Sequence, residues 1–127
     1  MINKYPVQII EIDPIIEELV VLEVNGTILR CFVSHCPSAI EAGETYEVEF
    51  DMVLPNELRI SKIQNENLYV EMLENSFSCE IYGYLDGDTF KSVVEFPDQG
   101  IHFEYPHLNG HFVKINAERI DVSFLTS

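Results

Sequence analysis

Apolar and β-branched residues fill two runs on either side of Asn25-Gly26, over positions 19–24 and 27–33. A two-residue type I′ turn needs positive φ at both central positions, and Asn-Gly tolerates that requirement best. The sequence therefore predicts a β-hairpin whose register is fixed by the tight turn. The predicted pairs are Val24–Thr27, Leu22–Leu29 and Val20–Cys31 on the apolar face, and Glu23–Ile28, Val21–Arg30 and Leu19–Phe32 on the mixed face.

Strict alternation predicts another strand over residues 46–53, in which four apolar side chains alternate with acidic ones. Because residues two apart share one face of a strand, the acidic residues would form a row of carboxylates. Such a row either protects a sheet edge from pairing with a second copy or docks a surface rich in Lys and Arg. The candidate partner-binding residues are Glu44, Glu47, Glu49 and Asp51.

Shorter segments complete the pattern. Strands are predicted over residues 7–12, 58–63 and 120–125, while residues 68–73 fit either a strand or a short helix. A second hairpin is predicted over residues 77–96, with Asp86-Gly87 as its two-residue loop. Alternation over residues 101–105 predicts a third hairpin, in which a three-residue loop at 108–110 sets Tyr105 opposite Val113.

About nine to ten short strands, Gly-bearing turns and at most one short helix indicate an all-β fold in a single domain over residues 1–127. Antiparallel sheets lose their exposed edges by closing, so a β-barrel or a strongly bent sandwich is the predicted body. The first strand, the long hairpin and the strand that follows Gly43 resemble the start of an OB-type barrel. This likeness is one of topology and assigns no function.

The chain carries 22 Asp and Glu against 7 Lys and Arg, a formal net charge of −15. This charge disfavours nucleic acid and anionic membranes as partners, because both are bound through Lys and Arg. A basic protein is the natural complement, and a charge coat that maintains solubility is the alternative interpretation. In an OB-type barrel Tyr82, Tyr84, Phe103 and Tyr105 could stack bases. Without a basic groove, we assign them to core packing and cross-strand pairing.

The cysteines and the first residues bear on location. Three cysteines, an odd number without a CxxC spacing, indicate buried or idle thiols rather than a disulfide framework. The opening MINKYP lacks the apolar core of a signal peptide, and no apolar run approaches the ~20 residues that a membrane helix needs. We expect a cytoplasmic protein without a membrane partner or a cofactor.

Two histidines are the candidate metal or ligand residues, because the predicted last hairpin sets His107 opposite His111. A closed zinc site takes four ligands, so His35, Cys36 or a carboxylate would have to complete it. Two half-exposed turn histidines are the alternative interpretation. The sequence Asp86-Gly-Asp lacks the further oxygens of an EF-hand loop and is assigned to turn chemistry.

No Ser-His-Asp order, phosphate-binding loop or HExxH motif is present. An enzyme whose residues meet only in space stays open, but this absence favours a non-catalytic protein. We predict an acidic binding module that docks a basic protein partner, as an inhibitor or an immunity protein would. The alternative is a small-ligand or metal-binding β-barrel, with or without catalysis, that uses His107 and His111. The sequence leaves the oligomeric state open.

Overall fold

The structure, a computed structural model, describes residues 3–73 and 76–125. Its strands are β1 (Tyr5–Ile12), β2 (Leu19–Val24), β3 (Thr27–His35), β4 (Thr45–Val53), β5 (Ile60–Lys62), β6 (Tyr69–Met72), β7 (Cys79–Asp86), β8 (Thr89–Lys91), β9 (Glu95–Pro97), β10 (Phe112–Ala117) and β11 (Arg119–Phe124). One four-residue helix, α1 (Ile101–Glu104), and a 3-10 turn (Pro106–Leu108) lie between β9 and β10. The prediction of an all-β barrel or strongly bent sandwich is confirmed.

Five strands form the first sheet, in the order β1-β2-β3-β11-β4. Strand β4 also pairs with β1, so the hydrogen-bonded order returns to its start, and we call this the cyclic sheet. Its neighbours are antiparallel except β3 and β11, which are parallel. The last strand of the chain therefore closes on the first hairpin.

The hairpin at Asn25-Gly26 forms in the predicted register. All six predicted pairs between β2 and β3 are present. Asn25 and Gly26 both have positive φ, of 50° and 78°, which is the requirement that favours Asn-Gly in a type I′ turn. The apolar face is the inner one, where Val20, Leu22 and Leu29 are fully buried.

The remaining strands form the second sheet, in the order β5-β10-β7-β8-β9, with β6 also paired to β7. We call this the open sheet. Residues 69–72, whose assignment the sequence left between helix and strand, are strand β6. The predicted strand over residues 58–63 is present in its central part as β5.

The second hairpin turns one residue later than predicted. Its loop is Gly87-Asp88, so that Asp86 pairs with Thr89 and Leu85 with Phe90. The predicted loop at Asp86-Gly87 is therefore wrong. Leu85 and Phe90 are both fully buried, and the observed register places these two apolar side chains opposite each other. The single positive φ in the loop, 60° at Gly87, fits a type II′ turn, which takes Gly at its first central position.

The predicted third hairpin is wrong, because residues 101–104 are helix α1 rather than a strand. The Asp98 carboxylate accepts hydrogen bonds from the main-chain N–H groups of Gly100 and His102. Such local bonds from Asp compete with sheet pairing and favour the start of a helix. Strand β10 consequently pairs with β7 and β5, and Val113 lies opposite Gly83 instead of Tyr105.

The two sheets meet through both main-chain and side-chain contacts. The Asn25 amide donates to the Val93 carbonyl at 2.9 Å, and the Tyr5 hydroxyl accepts from the Glu95 N–H at 2.8 Å. Arg30 of β3 donates to the carbonyl of Leu73. Buried apolar residues of both sheets form one cluster.

Candidate functional site

The acidic strip consists of Glu47, Glu49 and Asp51 on β4. The apolar residues between them, Val48, Phe50 and Met52, are buried, so the three acidic side chains point to the outer face of the cyclic sheet. Glu47 and Asp51 are exposed and Glu49 is half-buried. The predicted row of carboxylates is therefore present on an accessible face.

The pairing of β4 changes along the strip. Strand β4 pairs with β1 over residues 45–48 and with β11 over residues 48–53. Edge protection, which was one interpretation of the row, does not apply at Glu47, which pairs with Pro6 and accepts the Leu125 N–H. It stays a prediction for Glu49 and Asp51, because in the described part of the chain the pairing with β1 ends at Val48. Glu44 lies just before the strand, where it is exposed and its carbonyl oxygen accepts the Ile9 N–H at 3.0 Å. It flanks the strip rather than extending the row along β4.

A fourth carboxylate adjoins the strip, because Asp121 of β11 lies directly opposite Asp51. Partial burial is the main cause that raises the pKa of Asp51, and the Asp121 carboxylate raises it further. Hydrogen bonds to the Asp51 carboxylate from the Met52 N–H and the Gln99 amide oppose this increase. The alternation of residues 120–125 already placed Asp121 outward, but only the pairing of β4 with β11 brings it to Asp51.

One base accompanies these acids. The Arg119 Nε lies 2.7 Å from an Asp121 oxygen, and its guanidinium lies over the Phe32 ring at 4.0 Å from the ring centroid. Arg119 is the only Lys or Arg in the sequences of β4 and β11. The wall formed by these two strands therefore keeps an excess of negative charge.

The structure does not set His107 opposite His111. His107 is exposed in the 3-10 turn, and the His111 carbonyl accepts the Leu85 N–H at 3.1 Å as the chain enters β10. The register that made them face each other is wrong, since it required a strand at residues 101–105. A metal or ligand role for His107 and His111 stays a prediction. Across residues 3–73 and 76–125, no three His, Cys, Asp or Glu side chains are grouped to hold a metal ion.

A cavity of about 410 Å³ lies between the two sheets, and we call it the cleft. Phe50 of β4 forms part of the wall on the cyclic sheet, and residues of β8, β9 and α1 form the wall on the open sheet. Its lining residues are Asn3, Phe50, Asp88, Thr89, Glu95, Phe96, Pro97, Asp98, Gln99, Gly100, His102 and Phe103. Three carboxylates and no Lys or Arg are among them.

A buried carboxylate holds a histidine at the cleft. Asp98 is 2% exposed, and its Oδ2 lies 2.7 Å from the Nδ1 of His102. Asp98 is the only polar or charged residue counted as buried in the part of the chain that the structure describes. An ionised carboxylate only accepts hydrogen bonds, so in the neutral tautomer that pairs with it Nδ1 carries the proton and Nε2 is left as an acceptor. Sequence reasoning missed this pair because it predicted a strand over residues 101–105, where the structure has helix α1.

The cleft and the acidic strip are joined by Gln99. Its side-chain amide donates to the Met52 carbonyl at 2.6 Å and to an Asp51 oxygen at 3.2 Å. Gln99 has a φ of 59°, a conformation that non-Gly residues rarely adopt and that costs about 1–3 kcal/mol. The contacts with β4 hold this strained residue in place and bring the turn before α1 against the end of the strip.

Two of the tyrosines assigned to packing do lie in aromatic pairs on the open sheet. Tyr82 stacks on Tyr69 with ring centroids 4.1 Å apart, and Tyr84 packs against Phe112 at 5.0 Å. Phe103 differs, because it is 78% exposed at the cleft, so its assignment to core packing is wrong. The sequence signal that could have indicated this exposure is the position of Phe103 shortly after Asp98, because Asp98 favours a helix in the segment that follows it.

Three further bases, Arg59, Lys91 and Lys114, lie on or beside the open sheet. In the second hairpin, Lys91 Nζ lies 2.9 Å from an Asp86 oxygen. A second cavity, of about 440 Å³, is lined by Arg59, Lys114 and Glu80 among others, and Lys114 Nζ lies 3.7 Å from Glu80. These bases therefore do not neutralise the acidic strip.

Of the helical segments in the described part of the chain, none is long and apolar enough to cross a membrane.

Comparison with known proteins places the chain in a family. A search among curated proteins finds no match to the sequence. The sequence profile of one family matches residues 3–125, a span that includes every strand of both sheets and the residues of the strip and the cleft. The chain therefore belongs to the family described as uncharacterised conserved protein UCP019853.

Proposed function

We propose that this protein is a non-catalytic acidic module that docks a basic protein partner through the acidic strip, as an inhibitor of a basic enzyme would. The observation that carries the proposal is the direct opposition of Asp51 and Asp121 beside Glu47 and Glu49. Complementary potentials at such a surface steer and orient a positively charged partner. Glu47 and Asp51 at the two ends of the strip are exposed, and β4 is held by β1 over residues 45–48 and by β11 over residues 48–53.

The opposition of Asp51 and Asp121 costs stability that neither a solubility coat nor edge protection would require. Like charges directly opposite each other on neighbouring strands destabilise a sheet. A coat that serves solubility needs net charge but not this opposition, since its effect does not depend on position. Edge protection does not require it either, because Asp121 lies on β11, which is paired with both β3 and β4 and is not an edge strand. Docking of a basic partner explains why carboxylates are concentrated on this wall.

We extend the proposal to an OB-like barrel in a reducing compartment. Five strands in cyclic order, with the last strand closing on the first hairpin, support an OB-like arrangement of the cyclic sheet. Cys31, Cys36 and Cys79 are free thiols, which supports a cytoplasmic location because cytosolic proteins keep their cysteines reduced. Neither feature identifies the partner, whose recognition rests on the strip.

The alternative of a ligand or metal site at His107 and His111 has lost the geometry that suggested it. The two residues no longer face each other across a hairpin, and the exposed His107 lies in a separate turn. No observation of the structure favours this alternative over docking.

A retention experiment tests the proposal. The purified protein is immobilised, exposed to cytosolic extract, joined to bound proteins with a carbodiimide that couples carboxylates to lysines, and analysed by mass spectrometry. We expect cross-links from Glu47, Glu49 or Asp51 to lysines of a basic protein, and a dissociation constant that rises with salt. The strip variant, Glu47→Gln with Glu49→Gln and Asp51→Asn, should bind that protein at least about tenfold more weakly, which is 1.4 kcal/mol.

A matched control removes the same charge elsewhere. Glu17, Glu18 and Glu66 are exposed and lie outside the strands, so changing all three to Gln lowers the net negative charge equally. This control variant should retain the partner with at most a small loss. Equal losses in the strip variant and in the control would show that only total charge matters and would refute the proposal. Binding that does not respond to salt would refute it as well.

A further inference from the structure

We propose that the cleft receives an arginine side chain of the basic partner, and this inference rests on the proposed docking function. The cleft opens between the two sheets beside the end of the acidic strip, because Gln99 lines it and also donates to Asp51. A partner that covers the strip would therefore also cover the mouth of the cleft. A side chain that projects from that partner would enter it.

Hydrogen-bond acceptors line this cavity. Asp88 and Glu95 are exposed carboxylates in its wall, and the neutral His102 ring adds Nε2 as an acceptor when its Nδ1 donates to Asp98. Lys91, which lies opposite Glu95, is directed to Asp86 and does not line the cavity. The cleft thus offers acceptors and negative charge without a cation of its own, which favours a cationic donor.

The aromatic wall selects a guanidinium over an ammonium. Phe103 is 78% exposed, and its ring centroid lies 4.0 Å from that of His102. A planar guanidinium stacks on aromatic faces and presents five donors in a fixed fork, whereas an ammonium is a compact and strongly hydrated charge. The same chain already uses this contact, since Arg119 lies over Phe32 with its Cζ 4.0 Å from the ring centroid.

Defined peptides test the cleft without knowledge of the partner. The probes are three blocked tripeptides, acetyl-Gly-X-Gly-amide, in which X is arginine, lysine or citrulline. Citrulline keeps the length and shape of arginine but lacks its charge. Each probe is titrated at about 0.15 M salt, where the Debye length is ≈ 8 Å and long-range attraction is screened, and the amide signals of the ¹⁵N-labelled protein are followed.

We expect the arginine probe to shift the signals of residues 95–103, with the lysine probe several-fold weaker and the citrulline probe at least about tenfold weaker. Phe103→Ala should weaken the arginine probe about three- to fivefold, because one exposed cation–π contact is lost. Ile15→Ala is the matched control, since Ile15 is also a large exposed apolar side chain, at 88%, and does not line the cleft. It should bind the arginine probe as the wild type does.

The outcomes separate this inference from the proposed function. Equal binding of arginine and citrulline, shifts confined to residues outside the cleft, or an unchanged affinity in Phe103→Ala would each overturn the arginine site. If the strip variant loses its protein partner while the arginine probe does not bind in the cleft, the docking proposal stands and the arginine site is refuted. If the arginine probe fills the cleft while the strip variant keeps the partner, the arginine site stands and docking through the strip fails.

Discussion

Replacement of Asp98 by Ala should destabilise the protein by about 3.5 kcal/mol. Asp98 is 2% exposed, and its carboxylate accepts three hydrogen bonds, from the N–H groups of Gly100 and His102 and from the His102 ring. Loss of a hydrogen bond from a main-chain N–H costs about 1 kcal/mol for each of the two N–H groups. Loss of a bond from the ring to an ionised carboxylate adds about 1.5 kcal/mol.

Urea unfolding measures this loss. The free energy of unfolding should fall while the dependence on urea concentration stays that of the wild type, because the surface exposed on unfolding is unchanged. The corresponding decrease in melting temperature is about 14 °C, at roughly 4 °C per kcal/mol for a domain of this size. Asp98→Asn keeps one acceptor oxygen but no charge, so we expect a loss between those of the wild type and Asp98→Ala.

Asp88→Ala is the matched control for this prediction. Asp88 is an aspartate of the same cleft, but it is exposed and its side chain accepts one hydrogen bond, from Thr89 at 3.3 Å. Its replacement should cost no more than about 0.5 kcal/mol, as for other surface positions. If Asp98→Ala cost less than about 1 kcal/mol, or no more than Asp88→Ala, the three hydrogen bonds would not stabilise the turn and the reasoning would be refuted.

Three further predictions concern other parts of the fold. Gly83→Ala should cost about 2 kcal/mol in urea unfolding, because its methyl would lie 2.5 Å from a main-chain oxygen of β8 and overpacking costs roughly 1–3 kcal/mol; a wild-type value would contradict this close approach. Cys36 alone should react with a thiol reagent in the native protein, because burial raises the pKa of Cys31 and raises that of Cys79 to about 12; release of a second thiol before unfolding would contradict that burial. Asp51→Asn should stabilise the protein at pH 7 but not near pH 3. The pKa of Asp51 is raised in the folded state, so the wild type loses stability as the pH rises through that pKa and the carboxylate ionises. A variant less stable than the wild type at pH 7 would contradict this prediction.

The first hairpin was predictable because three local signals agree there. Asn25-Gly26 specifies the turn, the β-branched residues favour strands, and the apolar alternation places one face toward the core. A slip by one residue would expose Leu22 and Leu29, which are fully buried, so the register had no competitor. The second hairpin shows the opposite case. Its Asp-Gly-Asp sequence permits two loops, and the pairing of Leu85 with Phe90 decided between them.

The errors concern features that depend on distant residues. The residues at 101–105 fit a strand and a short helix equally well. The helix forms because the buried Asp98 carboxylate accepts hydrogen bonds from main-chain N–H groups of Gly100 and His102. That Asp98 precedes the segment was visible, but its burial was not. The strands that pair with β4 could likewise not be read from the sequence, because the pairing with β11 joins residues about 70 positions apart, such as Asp51 and Asp121. The acidic row was therefore predicted correctly, while the carboxylate that faces it from β11 was not predicted.

The position of Gln99 connects these observations. A residue with a φ of 59° and no compensation would relax toward an ordinary conformation, but the Gln99 amide is held by two oxygens of β4. Asp98 fixes the same turn from the other side through its hydrogen bonds to α1. The turn is therefore fixed to both sheets, so that the strip on β4 and the cleft beside α1 keep a constant relation. A partner that binds both would find them already oriented, and less of its binding energy would be spent on ordering the surface.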